Sequence, residues 1–377
     1  MQAYRKKKDI WVKDVKAAYI HIPFCSNICS YCDFAKVLYN EKIVSKYLNT
    51  LELEIKQKYK HEILDTIYIG GGTPSALNMR ELEQLFNILK IFKVSANLEF
   101  TIECNVNDIT KEKVELFKKN NVNRISLGVQ TFNKKVLKEM HRNHTYAEVK
   151  EKIEIIKSGG IQNINVDLIY AYPNTTLEDL NFDLEKMLSL DINHISTYSL
   201  IIEPHTLLHI NNTKNIDQDL DYEMYKNIIE KLTNNGFIHY EISNFAKKGY
   251  ESKHNLTYWN NQQYYGFGLS ASGYIDNVRY TNTRSFDKYF NLDFIFEEEQ
   301  LTNKDKIIYE LILGLRKING LNVEQFNKKY DIDLLNNTLI GNLIDNDKLE
   351  IENNFLKIPY EKIYIENEIL MELLDYE

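Results

Sequence analysis

Six short apolar stretches lie between residues 16 and 200, each separated from the next by a segment long enough for a helix. Residues 16–22, 64–69, 98–103, 123–129, 162–169 and 194–200 have the length and apolar content of strands. Between them, residues 41–60, 79–92, 111–120, 134–140 with 146–158, and 177–190 place apolar side chains at helical spacing. Strands joined through helices run parallel, because a hairpin needs only a tight turn whereas a parallel neighbour needs a crossover. The pattern therefore predicts an α/β fold, either an open doubly wound sheet or a whole or partial barrel. In both architectures the chemistry gathers at the carboxyl ends of the strands.

The unusual residues fall at those ends. Cys25, Cys29 and Cys32 follow the first strand, and Gly70-Gly71-Gly72-Thr73-Pro74 follows the second. Glu103 ends the third strand, Gln130 the fourth, and Asp167 stands near the end of the fifth. Random placement would scatter them, so their coincidence on one rim points to a single site.

Three of the four cysteines sit within eight residues, in CSNICSYC, and Cys104 lies far away. A disulfide framework uses an oxidising compartment and a dispersed, even set, which this is not. A structural zinc site takes four protein ligands, and Cys-x3-Cys-x2-Cys lacks an evident fourth. Three thiolates suit a four-iron cluster that keeps one iron open, and soft sulfur selects such a cluster or zinc over harder metals. Cys104 reads as a small buried thiol.

The other rim residues are individually ambiguous. A triple glycine lets backbone amides approach a ligand closely, but a tight βα turn asks for the same residues. Glu103, Gln130 and Asp167 could bond ribose hydroxyls or an amino group, or be satisfied strand-end side chains. Only 7 of the 46 basic residues are Arg, so each carries weight. Arg142 in HRNH could grip a carboxylate with its planar fork. Arg124, at a strand start, reads as half of a structural ion pair. His254, in HNLTYW with Tyr258 and Trp259, could ligate haem iron beside aromatic rings or could be a core histidine in an aromatic cluster.

A chain of 377 residues suits one large and one small domain, and a 44% apolar content provides a sizeable core. Its net charge of −8 argues against broad electrostatic binding to nucleic acid or anionic lipid. No apolar run approaches the roughly 18 residues a membrane span needs, and Met1–Ile10 lacks the apolar stretch of a secretory signal. The expectation is a cytoplasmic protein that is not an integral membrane protein. After a further helix at 217–235 and a strand at 237–242, the segment 250–280 is rich in aromatic residues and glycine. From about residue 301 the pattern changes to helices at 303–317, 323–330 and 334–346, a hairpin at 349–358 turning on Asn353-Asn354, and a last helix at 361–374. This reads as a small winged-helix-like module. Its 9 basic and 15 acidic side chains argue against phosphate binding.

Taken together, YIHIPFCSNICSYCDF, IGGGTPS, VNRISLGVQTF and HNLTYW resemble the radical S-adenosylmethionine (radical SAM) superfamily and, within it, the HemN/HemW group. The resemblance spans about residues 17–280. It implies a partial (β/α)6 barrel over residues 1–290, extended over about 200–290, followed by a mostly helical domain at 301–377. It also implies a [4Fe-4S] cluster on Cys25, Cys29 and Cys32 whose open iron is chelated by SAM. Tyr19, Tyr31, Gly71, Gly72, Thr73, Glu103, Gln130, Arg142 and Asp167 match the family's SAM-contacting residues. His254, Asn255, Tyr258 and Trp259 match its HNxxYW motif, which makes His254 the expected haem residue. The group divides into oxygen-independent coproporphyrinogen III dehydrogenases and haem chaperones of the HemW branch. The dehydrogenases carry a further cysteine where this chain has Phe34, which favours the chaperone branch: a protein binding haem and passing it to haem-requiring acceptors such as membrane-associated respiratory enzymes. The chain departs from the family's usual Asn-Pro at Asn105-Val106, Gly-Leu-Pro at Ala171-Tyr172-Pro173 and Ala-His at Ala271-Ser272.

Overall fold

The structure, a computed structural model, describes residues 15–376. The segment Met1–Ile10, read above for a leader, lies outside the described residues. Six parallel strands form the centre: β1 (Ala17–Ile22), β2 (Ile63–Gly71), β3 (Lys93–Asn105), β4 (Arg124–Gln130), β5 (Asn163–Tyr170) and β6 (His194–Ser199). Their crossovers carry α1 (Glu41–Lys58), α2 (Met79–Leu89), α3 (Lys111–Lys119), α4 (Lys134–Glu139), α5 (Tyr146–Ser158) and α6 (Leu177–Leu188). The helix starts are written locally. Asn78 with Glu81 and Thr145 with Glu148 form reciprocal capping boxes at α2 and α5, each satisfying backbone donors that the first helical turn leaves unpaired.

After β6 the chain runs through α7 (Leu207–Ile210), α8 (Gln218–Asn234), β7 (Ile238–Glu241), β8 (Asn244–Ala246) and α9 (Lys253–Trp259). It then returns to the first strand as β9 (Tyr264–Phe267), followed by β10 (Ser272–Ile275), β11 (Val278–Asn282), α10 (Phe286–Phe290) and β12 (Ile295–Gln300). The complete sheet has the order β12-β11-β10-β9-β1-β2-β3-β4-β5-β6-β8-β7. It is an open, partial barrel. A seventh parallel strand, β9, pairs Ala17 with Tyr264 and Ile20 with Phe267, so the aromatic segment at 250–280 widens the sheet.

Alternation along the strands sorts side chains between two environments. Ala18, Ile20 and Ile22 of β1 join the core beneath the helices, with Leu48, Leu51 and Ile55 of α1. The opposite face of the same strands is polar: Tyr19 and His21, then Tyr68, Thr101, Glu103, Arg124, Ser126, Asn165, Asp167 and His194. Apolar burial on the helix side, about 1.5–3 kcal/mol per large aliphatic side chain, is what allows the concave side to be given over to polar groups.

The chain ends in α11 (Asn303–Leu315), β13 (Leu321–Asn322), α12 (Val323–Tyr330), α13 (Thr338–Asp345), β14 (Glu350–Glu352), β15 (Phe355–Lys357) and α14 (Glu366–Glu372). The hairpin turns on Asn353 and Asn354 at φ 51° and 66°, the left-handed pair that a tight two-residue turn requires. This region joins the sheet edge through Ile242 N–H to Arg316 O (3.1 Å) and Ile318 N–H to Tyr240 O (3.2 Å). Among the described residues no helix is long and apolar enough to cross a membrane.

Candidate cofactor site at the carboxyl rim

The cysteine loop leaves β1 through a two-residue parallel pairing, Phe24–Cys25 with Val37–Leu38. Its base is fixed by the glycine loop after β2: Gly72 N–H donates to Ile22 O at 2.9 Å and Thr73 N–H to Phe24 O at 2.8 Å. Thr73 Oγ1 reaches Cys25 Sγ at 3.6 Å and accepts from Asn105 Nδ2 at 3.2 Å. On the other side Lys36 Nζ donates to Cys32 O and Phe34 O, closing the loop on itself. The loop is also tied to the turn that follows α4, because Asn27 donates to His141 O.

These elements surround one cavity of about 330 Å³ at the carboxyl ends of the strands. It is lined by Cys25, Cys29, Tyr31, Cys32, Gly71, Gly72, Thr73, Glu103, Gln130, Arg142 and Asp167. Eleven of the thirteen site residues named from sequence are therefore brought together on one wall.

Glu103 is anchored by Tyr68 Oη at 2.8 Å and by Gly71 N–H at 3.0 Å. Burial pushes its carboxyl up to about 7 despite both bonds. Asp167 accepts from Asn165 Nδ2 at 2.7 Å and is likewise raised by burial. Arg142 donates from Nη1 to Gly128 O at 2.8 Å, its Nε is buried without a partner, and its guanidinium adjoins the Tyr31 hydroxyl and Cys29. Gln130 holds φ 72° at a bulge where β4 leaves β5, which turns its side chain into the cavity.

Burial raises the Cys25 thiol to about 11 and raises Cys32 as well, so neither is a thiolate at neutral pH without help. Coordination to iron would give Cys25, Cys29 and Cys32 that help, because a metal-bound thiol is held as its thiolate. Among the described residues no group of three His, Cys, Asp or Glu converges on a single metal ion. The thiolates of a four-iron cluster serve different irons, so its ligands need not converge in that way. The donor set fits the cluster: three cysteines free of disulfides on one loop beside an open cavity that Gly71, Gly72 and Arg142 also line.

Two expected residues stand apart. Tyr19 lies deeper in the barrel than the cavity wall, its hydroxyl on His21 Nδ1 at 3.0 Å and its ring 6.1 Å from that of Tyr68. His254 is placed at the opposite end of the barrel, on α9. Its Nδ1 bonds Thr66 Oγ1 at 2.8 Å, its Nε2 bonds Tyr258 Oη at 2.7 Å, and its ring stacks on Tyr68. With 1% of its surface exposed and both nitrogens engaged, it presents no free position to haem iron. The reading of Arg124 is also corrected. Strand alternation turns it inward, and among the described residues no carboxylate lies within ion-pair distance of its buried guanidinium.

Sequence reasoning missed Tyr68, Asn105, Ser126 and Tyr198. A signal existed, since Ser126 has the strand parity of Gln130, and Asn105 that of Glu103. Tyr198, the penultimate residue of β6, lines the cavity.

Residues 19–187 match the model of the radical SAM superfamily. The chain is 44% identical over 322 residues to the heme chaperone HemW of Lactococcus lactis subsp. lactis, covering 83% of this chain and 85% of the relative. It is 41% identical to the heme chaperone HemW of Bacillus subtilis, covering 84% and 87%. Among solved structures, coproporphyrinogen III oxidase (HemN) from Escherichia coli superposes with a TM-score of 0.84 at 21% identity, covering 96% of this chain and 90% of that one. At that identity the likeness speaks for the fold alone.

Proposed function

Because this chain belongs to the radical SAM superfamily and, within it, to the HemW family, we propose that it is a haem chaperone, carrying haem to haem-requiring acceptor proteins in the cytoplasm, membrane-associated respiratory enzymes among them. The observation that supports the cofactor half of this reading is the convergence of three thiols, the glycine loop and two buried carboxylates on one cavity. Cys25, Cys29 and Cys32 would hold the [4Fe-4S] cluster. When bound, the cluster supplies an iron with an open coordination position for SAM.

The chain's own residues do the rest. Gly71 and Gly72 leave the cavity floor without side chains, so amides reach the ligand. Glu103, held by Tyr68 and Gly71, and Asp167, held by Asn165, offer acceptors for hydroxyl or amino groups. Arg142 presents a cation for a carboxylate. Gln130, forced inward by its left-handed backbone, and Tyr31 complete the wall.

The HemN-like fold favours a second reading, a SAM-dependent coproporphyrinogen III dehydrogenase. Phe34, where that branch has a further cysteine, speaks against it. Anaerobic cluster reconstitution followed by haem titration separates the two. Iron and sulfide at four per chain, a Soret band saturating at one haem, and no conversion of coproporphyrinogen are expected. Turnover of coproporphyrinogen would replace the chaperone reading with the dehydrogenase.

A further inference from the structure

The placement of His254 leaves open where haem would sit. A chaperone's haem needs an imidazole with a free nitrogen, apolar surface for the macrocycle, and an exit to solvent. Of the nine histidines, His21, His194, His239 and His254 each have both ring nitrogens in hydrogen bonds, and His144 is buried. His61 lies at the amino ends of the strands, before β2, and the exposed His141 has Nδ1 on Ile28 O at 3.2 Å, which leaves Nε2 open. At the carboxyl rim, His205 and His209 leave both imidazole nitrogens open. Both are exposed, both lie between β6 and α8 (His209 within α7), and among the described residues neither imidazole has a hydrogen-bond partner. Glu203 and Ile201, two and four residues before His205, line the cavity, which places His205 beside its mouth.

Exposed apolar side chains stand beside it. Ile201 is 67% exposed on the same segment, and Phe34 is 68% exposed on the cysteine loop. Phe34 and Ile201 both line the mouth of the cavity. Large apolar side chains left this open mark a binding surface. The segment between β6 and α8 is not adrift: Leu208 is buried against Tyr172 and Leu200, and its N–H donates to Ser30 O of the cysteine loop at 3.2 Å.

We propose that haem is seated at the mouth of the cavity, its macrocycle covered by Phe34 and Ile201 and its iron ligated by an imidazole of the His205/His209 pair. The seat rests on the haem-chaperone reading and locates it. The propionate edge faces water, where transfer to an acceptor starts.

The test is a hemin titration of the full chain, followed by the Soret band and by the ferric iron's electron paramagnetic resonance. His205→Ala/His209→Ala is expected to weaken hemin at least tenfold and to abolish the imidazole-ligated signal, and the single variants then assign the ligand. Phe34→Ser/Ile201→Ser is expected to weaken hemin while keeping that signal. His254→Phe, if folded, is expected to bind as the unsubstituted chain does. A double-histidine variant that retains affinity and signal, or loss of the signal in His141→Ala, overturns the seat alone. Failure of the unsubstituted chain to bind hemin overturns the chaperone reading and the seat with it.

Discussion

A methyl group on Gly72 would stand 2.9 Å from both the backbone nitrogen and the backbone oxygen of Phe24. Neither atom can swing aside as a side chain would, and both belong to the strand that leads into Cys25. Gly72→Ala is therefore expected to cost about 1–3 kcal/mol, the usual penalty of forced overpacking, and to reduce the iron retained after reconstitution. Denaturation midpoints and iron content measured on the same variant check both effects. An unchanged midpoint would mean that the glycine loop is looser than its two hydrogen bonds to β1 and Phe24 indicate. The rim was legible at this scale because a strand-end glycine run, a cysteine triplet and strand-end carboxylates are rare enough to stand out singly. Tyr68 and Tyr198 were not, because a tyrosine in a strand is ordinary until its neighbours show which way it faces. His254 was assigned by its motif, and only its two hydrogen bonds reveal that the ring is committed to the barrel interior.

At the scale of elements, the joint between β7 and the carboxyl-terminal region contains an acid pair around one arginine. Arg316 Nη1 contacts Glu366 Oε1 at 2.7 Å, and its guanidinium lies 5.7 Å from the Trp259 ring. Burial pushes Glu366 up to about 8 and Glu241 up to about 7, with Arg316 opposing the rise in each. Both folded-state values exceed the unfolded value of 4.5. The native chain therefore holds protons that the unfolded chain has released. Their stabilisation is complete below pH 4.5 and is lost as pH rises through 7 to 8. Each such group contributes a slope of up to about 1.4 kcal/mol per pH unit within that window. The buried histidines, held below their usual value of 6.5, add an opposing slope on the acid side, so urea midpoints measured from pH 7 to pH 8 are expected to fall, and Glu366→Gln to flatten the fall. An equal slope in that variant would remove Glu366 from the account. The elements themselves were largely readable: capping residues mark α2 and α5, and Asn353-Asn354 marks the hairpin. The return of β9 to β1 was not, because pairing between residues 17 and 264 leaves no local trace in either segment.

Across the whole molecule, one end of the barrel gathers the cysteine loop, the cavity and the exposed loop after β6, while α9 closes the other end against Glu99, whose carboxylate accepts from Lys253 N–H at 3.1 Å and His254 N–H at 3.0 Å. Haem seated at the mouth would share Phe34 and Ile201 with whatever fills the cavity. Two ligands that touch the same side chains are coupled, and the coupling is reciprocal: the factor by which SAM changes haem affinity must equal the factor by which haem changes SAM affinity. Coupling energies of this kind run to about 1–3 kcal/mol, a shift of roughly 5- to 150-fold. Haem at the α9 end would reach the cavity only indirectly, through Tyr68, on which His254 stacks and which holds Glu103, and its affinity would respond less to SAM. Calorimetric titration of the cluster-loaded chain with hemin, with and without SAM, is expected to show a shift of at least fivefold, matched in the converse titration. Equal affinities in both arms would separate the two sites and return haem to another face of the protein.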